Sequence, residues 1–189
     1  MEKRGEVTGN ITIEVVRDGN IEQCRDLCNE LMAFQKSKAV MEPERFDTMS
    51  FDTRMKKSYE ISLESQVLVV KDSGIPVGYS FSTIEDTQKS RSSGQYTGLY
   101  PEWDSFPQKI GCLSNLYFRE KYRGMGLGSR LFEMSMEWLE GFPDVDLILI
   151  YVSNGNDDAL SFYLNRGFTF SHDVYGGFIK AVYKFKKRG

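Results

Sequence analysis

The stretch Ser114-Asn115-Leu116-Tyr117-Phe118-Arg119-Glu120-Lys121-Tyr122-Arg123-Gly124-Met125-Gly126-Leu127-Gly128-Ser129-Arg130-Leu131 decides how the rest of this chain is read. A strand over residues 110–118 feeds a connection with glycine at 124, 126 and 128. A helix over 126–141 follows, with Leu127, Leu131, Met134 and Trp138 on one face and Phe132, Met136 and Leu139 broadening it. Glycines at alternate positions clear side chains from main chain that must approach something closely. The first amides of a helix have no intrahelical acceptor, and the helix dipole favours negative charge beside them. Strand, bare loop and helix start together make a cradle suited to a phosphate or pyrophosphate. The plainer alternative is a glycine-rich turn before a packing helix.

Two common phosphate motifs do not fit. A P-loop ends Gly-Lys-Ser/Thr, whereas this run ends Gly128-Ser129-Arg130. A dinucleotide fingerprint needs a third glycine where Ser129 stands, and an acid at the end of the next strand, whereas Asp144 and Asp146 precede that strand.

Outward from this segment the chain reads as alternating strands and helices. Residues 1–10 are polar and expected to fray. Residues 11–16 alternate as a strand, and Ile21, Cys24, Leu27, Cys28, Leu31 and Met32 recur at helical spacing in a helix ending near Lys36. A second helix is expected from Glu44 to about Tyr59. Residues 66–71 and 75–84 form a hairpin around Asp72-Ser73-Gly74. The buried strand 147–153 precedes a short helix over 157–166, stopped by Gly167, and strands 168–173 and 178–185 close the chain. Residues 86–109 make a long polar insertion carrying Tyr96, Tyr100, Trp103 and Phe106, aromatics that either staple the loop to the core or line a substrate site. No internal repeat or linker interrupts 1–189, so one domain is expected. The order β-α-α-β-β-β-α-β-α-β-β gives an α/β domain with a mixed sheet.

The run Arg123-Gly124-Met125-Gly126-Leu127-Gly128 resembles the acetyl-CoA signature of the GNAT superfamily of N-acetyltransferases, Arg/Gln-x-x-Gly-x-Gly/Ala. Leu116-Tyr117-Phe118 is similar to that family's strand just before the loop. Residues 156–168, with Asn156, Ala159, Phe162, Tyr163, Gly167 and Phe168, resemble its second landmark, Asn-x-x-Ala-x-x-Phe-Tyr-x-x-x-Gly-Phe. The spacing leaves room for one helix and one strand between the blocks. The resemblance implies a GNAT-type acyl-CoA N-acyltransferase fold, with a mixed, mostly antiparallel central sheet flanked by helices. It also implies acetyl-CoA as cosubstrate and no metal.

The resemblance further implies a division of labour. The backbone of Leu116, Tyr117 and Phe118 would pair with the pantetheine arm as an added strand. The amides from Arg123, Gly124, Met125, Gly126, Leu127 and Gly128 would hold the pyrophosphate, and Asn156 would bond the pantetheine region. Tyr163 would be the general acid for the departing thiolate. The amide of Tyr117 or Phe118 would stabilise the oxyanion. Where many members carry a base on this strand, the chain has Cys112 and Ser114, and neither is an evident base. Glu85, at the end of the preceding strand, is the first candidate, acting through a water; solvent deprotonation of the amine is the alternative. His172 reads as a solvated or packing residue.

Composition bounds the partners. The chain has 189 residues, is 40% hydrophobic and 27% charged, and carries a net charge of −3. That balance gives no general reason to expect nucleic acid or an anionic membrane. No run approaches the ~18–20 apolar residues of a spanning helix, and MEKRGEVTGN lacks the apolar core of a signal peptide. Cys24, Cys28 and Cys112 form neither an even set nor a CxxC, so buried, reduced thiols in a cytoplasmic protein are expected. With one histidine, zinc has no ligand set. Glu42, Glu44, Asp47, Asp52, Glu85, Asp86, Glu102 and Asp104 lie on segments that would build the acceptor side. They favour a cationic amine such as a polyamine or aminoglycoside, unless they are simply solvated surface charge. The expected activity is transfer of the acetyl group of acetyl-CoA to a primary amine of a small molecule. A protein N-terminus or lysine as acceptor, and a CoA-binding module without turnover, are the alternatives. A homodimer is compatible with the fold.

Overall fold

Val67, Leu68, Val69 and Val70 are all buried, and alternate members face opposite sides: Val67 and Val69 join one core cluster, Leu68 and Val70 another. A strand buried on both faces belongs inside a layered sheet. The computed structural model describes residues 9–92 and 98–186; most of the stretch expected to fray, and Tyr96, lie outside them.

Strand β1 (Ile11–Val15) leads through a 3₁₀ turn (Ile21–Cys24) into α1 (Arg25–Lys38). A 3₁₀ segment (Pro43–Thr48) and a π-helical turn (Asp52–Lys56) follow, the latter running into α2 (Lys57–Ile61). Then come β2 (Glu64–Asp72), β3 (Ile75–Asp86), α3 (Thr87–Ser92), β4 (Lys109–Phe118), α4 (Leu127–Glu140), β5 (Leu147–Ser153), α5 (Asp157–Leu164), β6 (Thr169–Val174) and β7 (Ile179–Phe185). The seven strands form one sheet in the order β1-β2-β3-β4-β5-β7-β6. Every neighbouring pair is antiparallel except β4–β5. Leu27, Cys28, Leu31 and Met32 of α1 pack on one face, and Leu131 of α4 packs on the other, against Leu68, Val70 and Phe118. The mixed, mostly antiparallel sheet with flanking helices is the architecture expected.

Three expectations need correction. Residues 44–59 do not form one helix. Met49 is extended, at φ −100° and ψ 126°, and breaks the chain so that Phe51 drops into the core. There the Phe51 amide donates to Asn29 Oδ1 at 2.8 Å, and Arg25 lies 4.5 Å over its ring. The buried face of α4 centres on Leu131, Phe132, Ser135, Met136 and Leu139, so Met134 and Trp138 sit at its margin. What turns the face is Ser135, whose hydroxyl is bonded to Ser80 of β3 at 3.0 Å, a buried polar pair. The insertion is not all loop: Asp86 Oδ1 accepts from the amides of Gln88 and Lys89, capping α3. Beyond it, Tyr100, Trp103 and Phe106 pack with Ile110, Leu147 and Leu149, so these aromatics do staple the insertion to the core.

Candidate active site

Strands β4 and β5 are paired at Gly111–Ile148 and Cys112–Leu149 and then part. The departure coincides with a bulge: Phe81 faces Asn115 and Ser82 faces Leu113, which leaves Ser114 as the extra residue. Past the bulge β4 remains paired with β3 alone. The Arg119 amide donates to Val77 O at 3.0 Å. Alternation along an antiparallel pair then turns the Tyr117 amide toward β3, and those of Leu116 and Phe118 toward the gap. Of the two amides expected to serve an oxyanion, that of Phe118 faces the gap and that of Tyr117 does not.

The glycine loop lies at the end of this strand. Gly124 and Gly126 have φ of +73° and +79°, conformations that a Cβ would strain. A Cβ placed on Gly124, Gly126 or Gly128 would meet no protein atom within 4 Å, so the loop presents its bare side outward. Helix α4 starts directly after Gly126 without a side-chain cap, and its first amides have no acceptor among the described residues. This face fits a diphosphate. Arg123 departs from expectation, because its amide donates to Glu120 O at 3.0 Å and is not available to a ligand. Its side chain donates from Nε to Phe118 O at 2.8 Å and lies 4.4 Å over the Phe34 ring, tying the loop to β4. The available amides thus begin at Gly124.

Two residues of the second landmark stand near the fork. Asn156 caps α5 without a side-chain cap bond and is half-buried, its side chain without a hydrogen-bond partner among the described residues. Tyr163 is buried among Phe132, Phe162 and Phe168, and its hydroxyl has no hydrogen-bond partner among the described residues. Burial pushes its phenol up, and the neighbouring Cys112 adds to the rise. Arg166 holds α5 against α4: it donates to Ser129 Oγ at 2.8 Å and lies 3.5 Å over Phe162.

On the other side of β4 lies a cavity of ≈ 180 Å³ whose walls come from α1, the 3₁₀ and π-helical turns, β3, β4, β5 and the β6–β7 connection. Phe46, Phe81, Tyr151, Tyr175 and Phe178 line it, as do Cys112 and Ser114 at the bulge. Glu85 also lines it. Tyr100 donates to Glu85 Oε2 at 3.0 Å and Thr83 to Oε1 at 3.1 Å. Burial raises the Glu85 pKa, and these two bonds oppose the rise. Burial and then the charge of Glu85 push the Cys112 thiol up.

Of the eight acids expected on the acceptor side, Glu85 alone lines the cavity. Asp52 is paired with Arg25 at 2.6 Å, Asp47 with Lys36 at 2.6 Å, Glu42 with Arg45 at 2.8 Å, and Asp86 caps α3. Glu44, Glu102 and Asp104 are exposed elsewhere. His172 packs: its Nε2 bonds Leu99 O at 2.9 Å and its Nδ1 bonds Ser171 Oγ at 2.8 Å. The Tyr151 hydroxyl donates to the same Leu99 carbonyl at 3.2 Å, so both pin the insertion where Leu99 meets the cavity.

Sequence reading missed Asn154, which is buried and holds the cavity's rim. Its Oδ1 accepts from the amides of Val40 and Met41, each at 2.8 Å, while Nδ2 donates to Met41 O and Phe178 O. The adjacent Gly155 lets this rim approach, since a Cβ there would lie 1.9 Å from Lys38 O. Beyond the Asn154-Gly155 pair itself, no local pattern signals the partners, of which Val40 and Met41 lie over a hundred residues away in sequence and Phe178 lies 24 away.

The model of the Acetyltransferase (GNAT) family matches residues 28–168. The chain belongs to the GNAT acetyltransferase family. Two tyramine N-feruloyltransferases of Nicotiana tabacum, 4/11 and 10/30, are 34% and 33% identical to this GNAT protein over 102 residues. Each match covers 46% of this chain and 44% of the relative, less than half the length of either. Among solved structures, PaiA N-acetyltransferase from Thermoplasma acidophilum in complex with coenzyme A aligns with a TM-score of 0.64. It is 15% identical, over 93% of this chain and 99% of its own. Arabidopsis thaliana NAA60 in complex with acetyl-CoA gives 0.59 at 14% identity, over 93% and 98%. Arabidopsis thaliana Naa50 bound to the bisubstrate analogue CoA-Ac-MVNAL gives 0.57 at 18% identity, over 92% and 97%. At these identities the likeness establishes the GNAT fold. Among the described residues of this GNAT protein, no helix is long and apolar enough to cross a membrane, and no group of three or more His, Cys, Asp or Glu could hold a metal.

Proposed function

We propose that this GNAT protein transfers the acetyl group of acetyl-CoA directly to the primary amine of a small molecule. The observation that carries the reading is the fork in the sheet: β4 leaves β5 at the Ser114 bulge, with the bare glycine loop at its far end and the Glu85 cavity beside it. In this reading Leu116 and Phe118 pair through their backbone with the pantetheine arm, as an edge strand accepts a peptide. The amides of Gly124, Met125, Gly126, Leu127 and Gly128 hold the diphosphate at the start of α4, and Asn156 bonds the arm from the α5 side. The thioester supplies the activated acyl group.

Glu85 faces the acceptor. Acting directly or through one water, its carboxylate takes the proton that an ammonium must lose before it can attack. The Phe118 amide points into the gap where the thioester oxygen gathers charge, and a preorganised donor of this kind is worth a few kcal/mol, roughly 3. Tyr163, held protonated by its surroundings, gives a hydrogen bond or its proton to the departing sulfur. Acceptor and donor meet across one strand, so no acyl-enzyme is needed. The three buried free thiols fit a cytoplasmic setting.

A peptide acceptor is the second reading, since Arabidopsis thaliana Naa50 bound to the bisubstrate analogue CoA-Ac-MVNAL shares the fold. The size of the cavity and its walls of Leu99 from the insertion and Tyr175 from the β6–β7 connection favour a small molecule. A panel of amines, amino acids and short peptides assayed by CoA release tests the reading. Release with small amines is the expected result. Release with peptides alone moves the acceptor to protein, and CoA binding without release to any amine reduces the chain to a binding module.

A further inference from the structure

The charges lining the acceptor cavity are one carboxylate, Glu85, and three cations, Arg45, Arg54 and Lys57. Arg45 is engaged: it pairs with Glu42 at 2.8 Å and lies 4.4 Å over Phe178. Arg54 and Lys57 have no acidic partner among the described residues. Arg54 sits on the π-helical turn and Lys57 at the start of α2, and both line the cavity. The π-helical winding is a local irregularity of a kind found often at functional sites. It places Asp52 outward on Arg25 while Arg54 faces the cavity. Arg54 and Lys57 are both exposed to solvent and contribute to the cavity lining. A third feature points to a ligand: Ser153 Oγ is buried, in a residue 6% exposed that lines the cavity, and has no hydrogen-bond partner among the described residues. Buried hydroxyls in native structures are usually bonded, so an unpartnered one in a cavity wall fits a role in holding a ligand.

From this pattern we infer that the acceptor is an amine that also carries an acidic group, with its nitrogen at Glu85 and its carboxylate or phosphate at Arg54 and Lys57. This rests on the transfer reading above and narrows its substrate class to amino acids and similar amphoteric amines. A dication such as a polyamine brings its second charge toward two unneutralised cations and is disfavoured, contrary to the expectation from the sequence. Phe46, Phe81 and Phe178 give the same cavity an apolar wall, and Ser153 offers one further hydrogen bond.

Matched acceptors that differ only in the acidic group test this. Tyrosine against tyramine reads a carboxylate, phosphoethanolamine against ethanolamine reads a phosphate, and putrescine reads a second cation. The expected result is that, in at least one pair, the acidic member has a kcat/KM higher by about tenfold or more, as a charge-assisted contact allows. Putrescine should be the poorest. Whichever pair shows the gain identifies the acid. In the double variant Arg54→Gln, Lys57→Gln the ratio should collapse toward one, mainly through KM, while Arg54→Lys keeps much of it. Acetyl-CoA affinity retained in the double variant shows that it folds. Equal or better turnover of tyramine, ethanolamine and putrescine, or a ratio that the double variant does not change, overturns the inference and leaves the transfer reading standing. CoA release with no amine at all overturns both.

Discussion

A phenol buried against Phe132, Phe162 and Phe168 loses the water that would stabilise its anion, and Tyr163 is held protonated in that setting. Replacing it with Phe removes the hydroxyl and little else, because that hydroxyl bonds no group among the described residues. Tyr163→Phe should therefore keep acetyl-CoA affinity and lower kcat by about 100-fold or more; unchanged turnover at several pH values would remove the acid role. Glu85 carries an opposing cost. Its pKa is raised above the ordinary 4.5 by burial, so the folded protein holds the proton more tightly than the unfolded chain does. The stabilisation this brings is complete below the unfolded value and is lost as pH rises through the folded one. At neutral pH the ionised side chain weighs against folding. Glu85→Gln should thus raise the urea midpoint at pH 7, with a gain that shrinks as pH falls toward 4.5, while kcat/KM drops. Tyr100→Phe removes a bond that holds the Glu85 pKa down. The acid limb of its pH–rate profile should move to higher pH, and a limb that stays in place would disconnect Glu85 from the base step.

The glycine loop and α4 allow a test in which fold and ligand separate. Gly128 lies in the first turn of α4, has no positive φ, and a Cβ there meets no protein atom within 4 Å. Gly128→Val should leave the thermal midpoint nearly unchanged, within about 0.5 kcal/mol of stability, and weaken acetyl-CoA binding by about tenfold or more, as calorimetry can read. If binding is unchanged, the cradle is elsewhere. Gly126 could not serve, since its left-handed backbone would confound strain with obstruction. The same elements show what the sequence could yield. Backbone motifs are local: strand, bare loop and helix start occupy consecutive residues, and their chemistry comes from amides present whatever the side chains. The amphipathic periods of α1 and α4 were legible for the same reason. The break at Met49 was not, because it depends on Asn29 accepting the Phe51 amide across 22 residues. Nor was the facing of Asp52 away from the cavity and Arg54 into it. The acids of the acceptor side looked like a field in sequence because their partners, Arg25, Lys36 and Arg45, are chosen by tertiary packing.

Across the molecule, the sheet is two antiparallel blocks, β1–β4 and β5–β7–β6, joined along the strands at two residue pairs. A Cβ on Gly111 at this joint would lie 3.0 Å from Leu139 and 3.4 Å from Ile148, so the seam is tightly packed where it exists and absent beyond Ser114. A ligand whose arm pairs with β4 inside the gap completes the edge that β5 leaves, and it binds the folded state alone. At a hundredfold excess over Kd it should add about 2.7 kcal/mol to the unfolding free energy. The gain has a spatial signature that a nonspecific effect lacks. The amides of Tyr117 and Arg119 belong to the β3 pairing and should exchange slowly with or without acetyl-CoA. Those of Leu116 and Phe118 face the gap and should exchange quickly in the free protein and slow markedly on binding, while β7, whose pairing with β5 is continuous, changes only by the global increment. Hydrogen exchange resolved to single amides reads this alternation. Uniform protection across 114–118, or none, would mean that the arm does not run as a strand along β4, whatever the affinity.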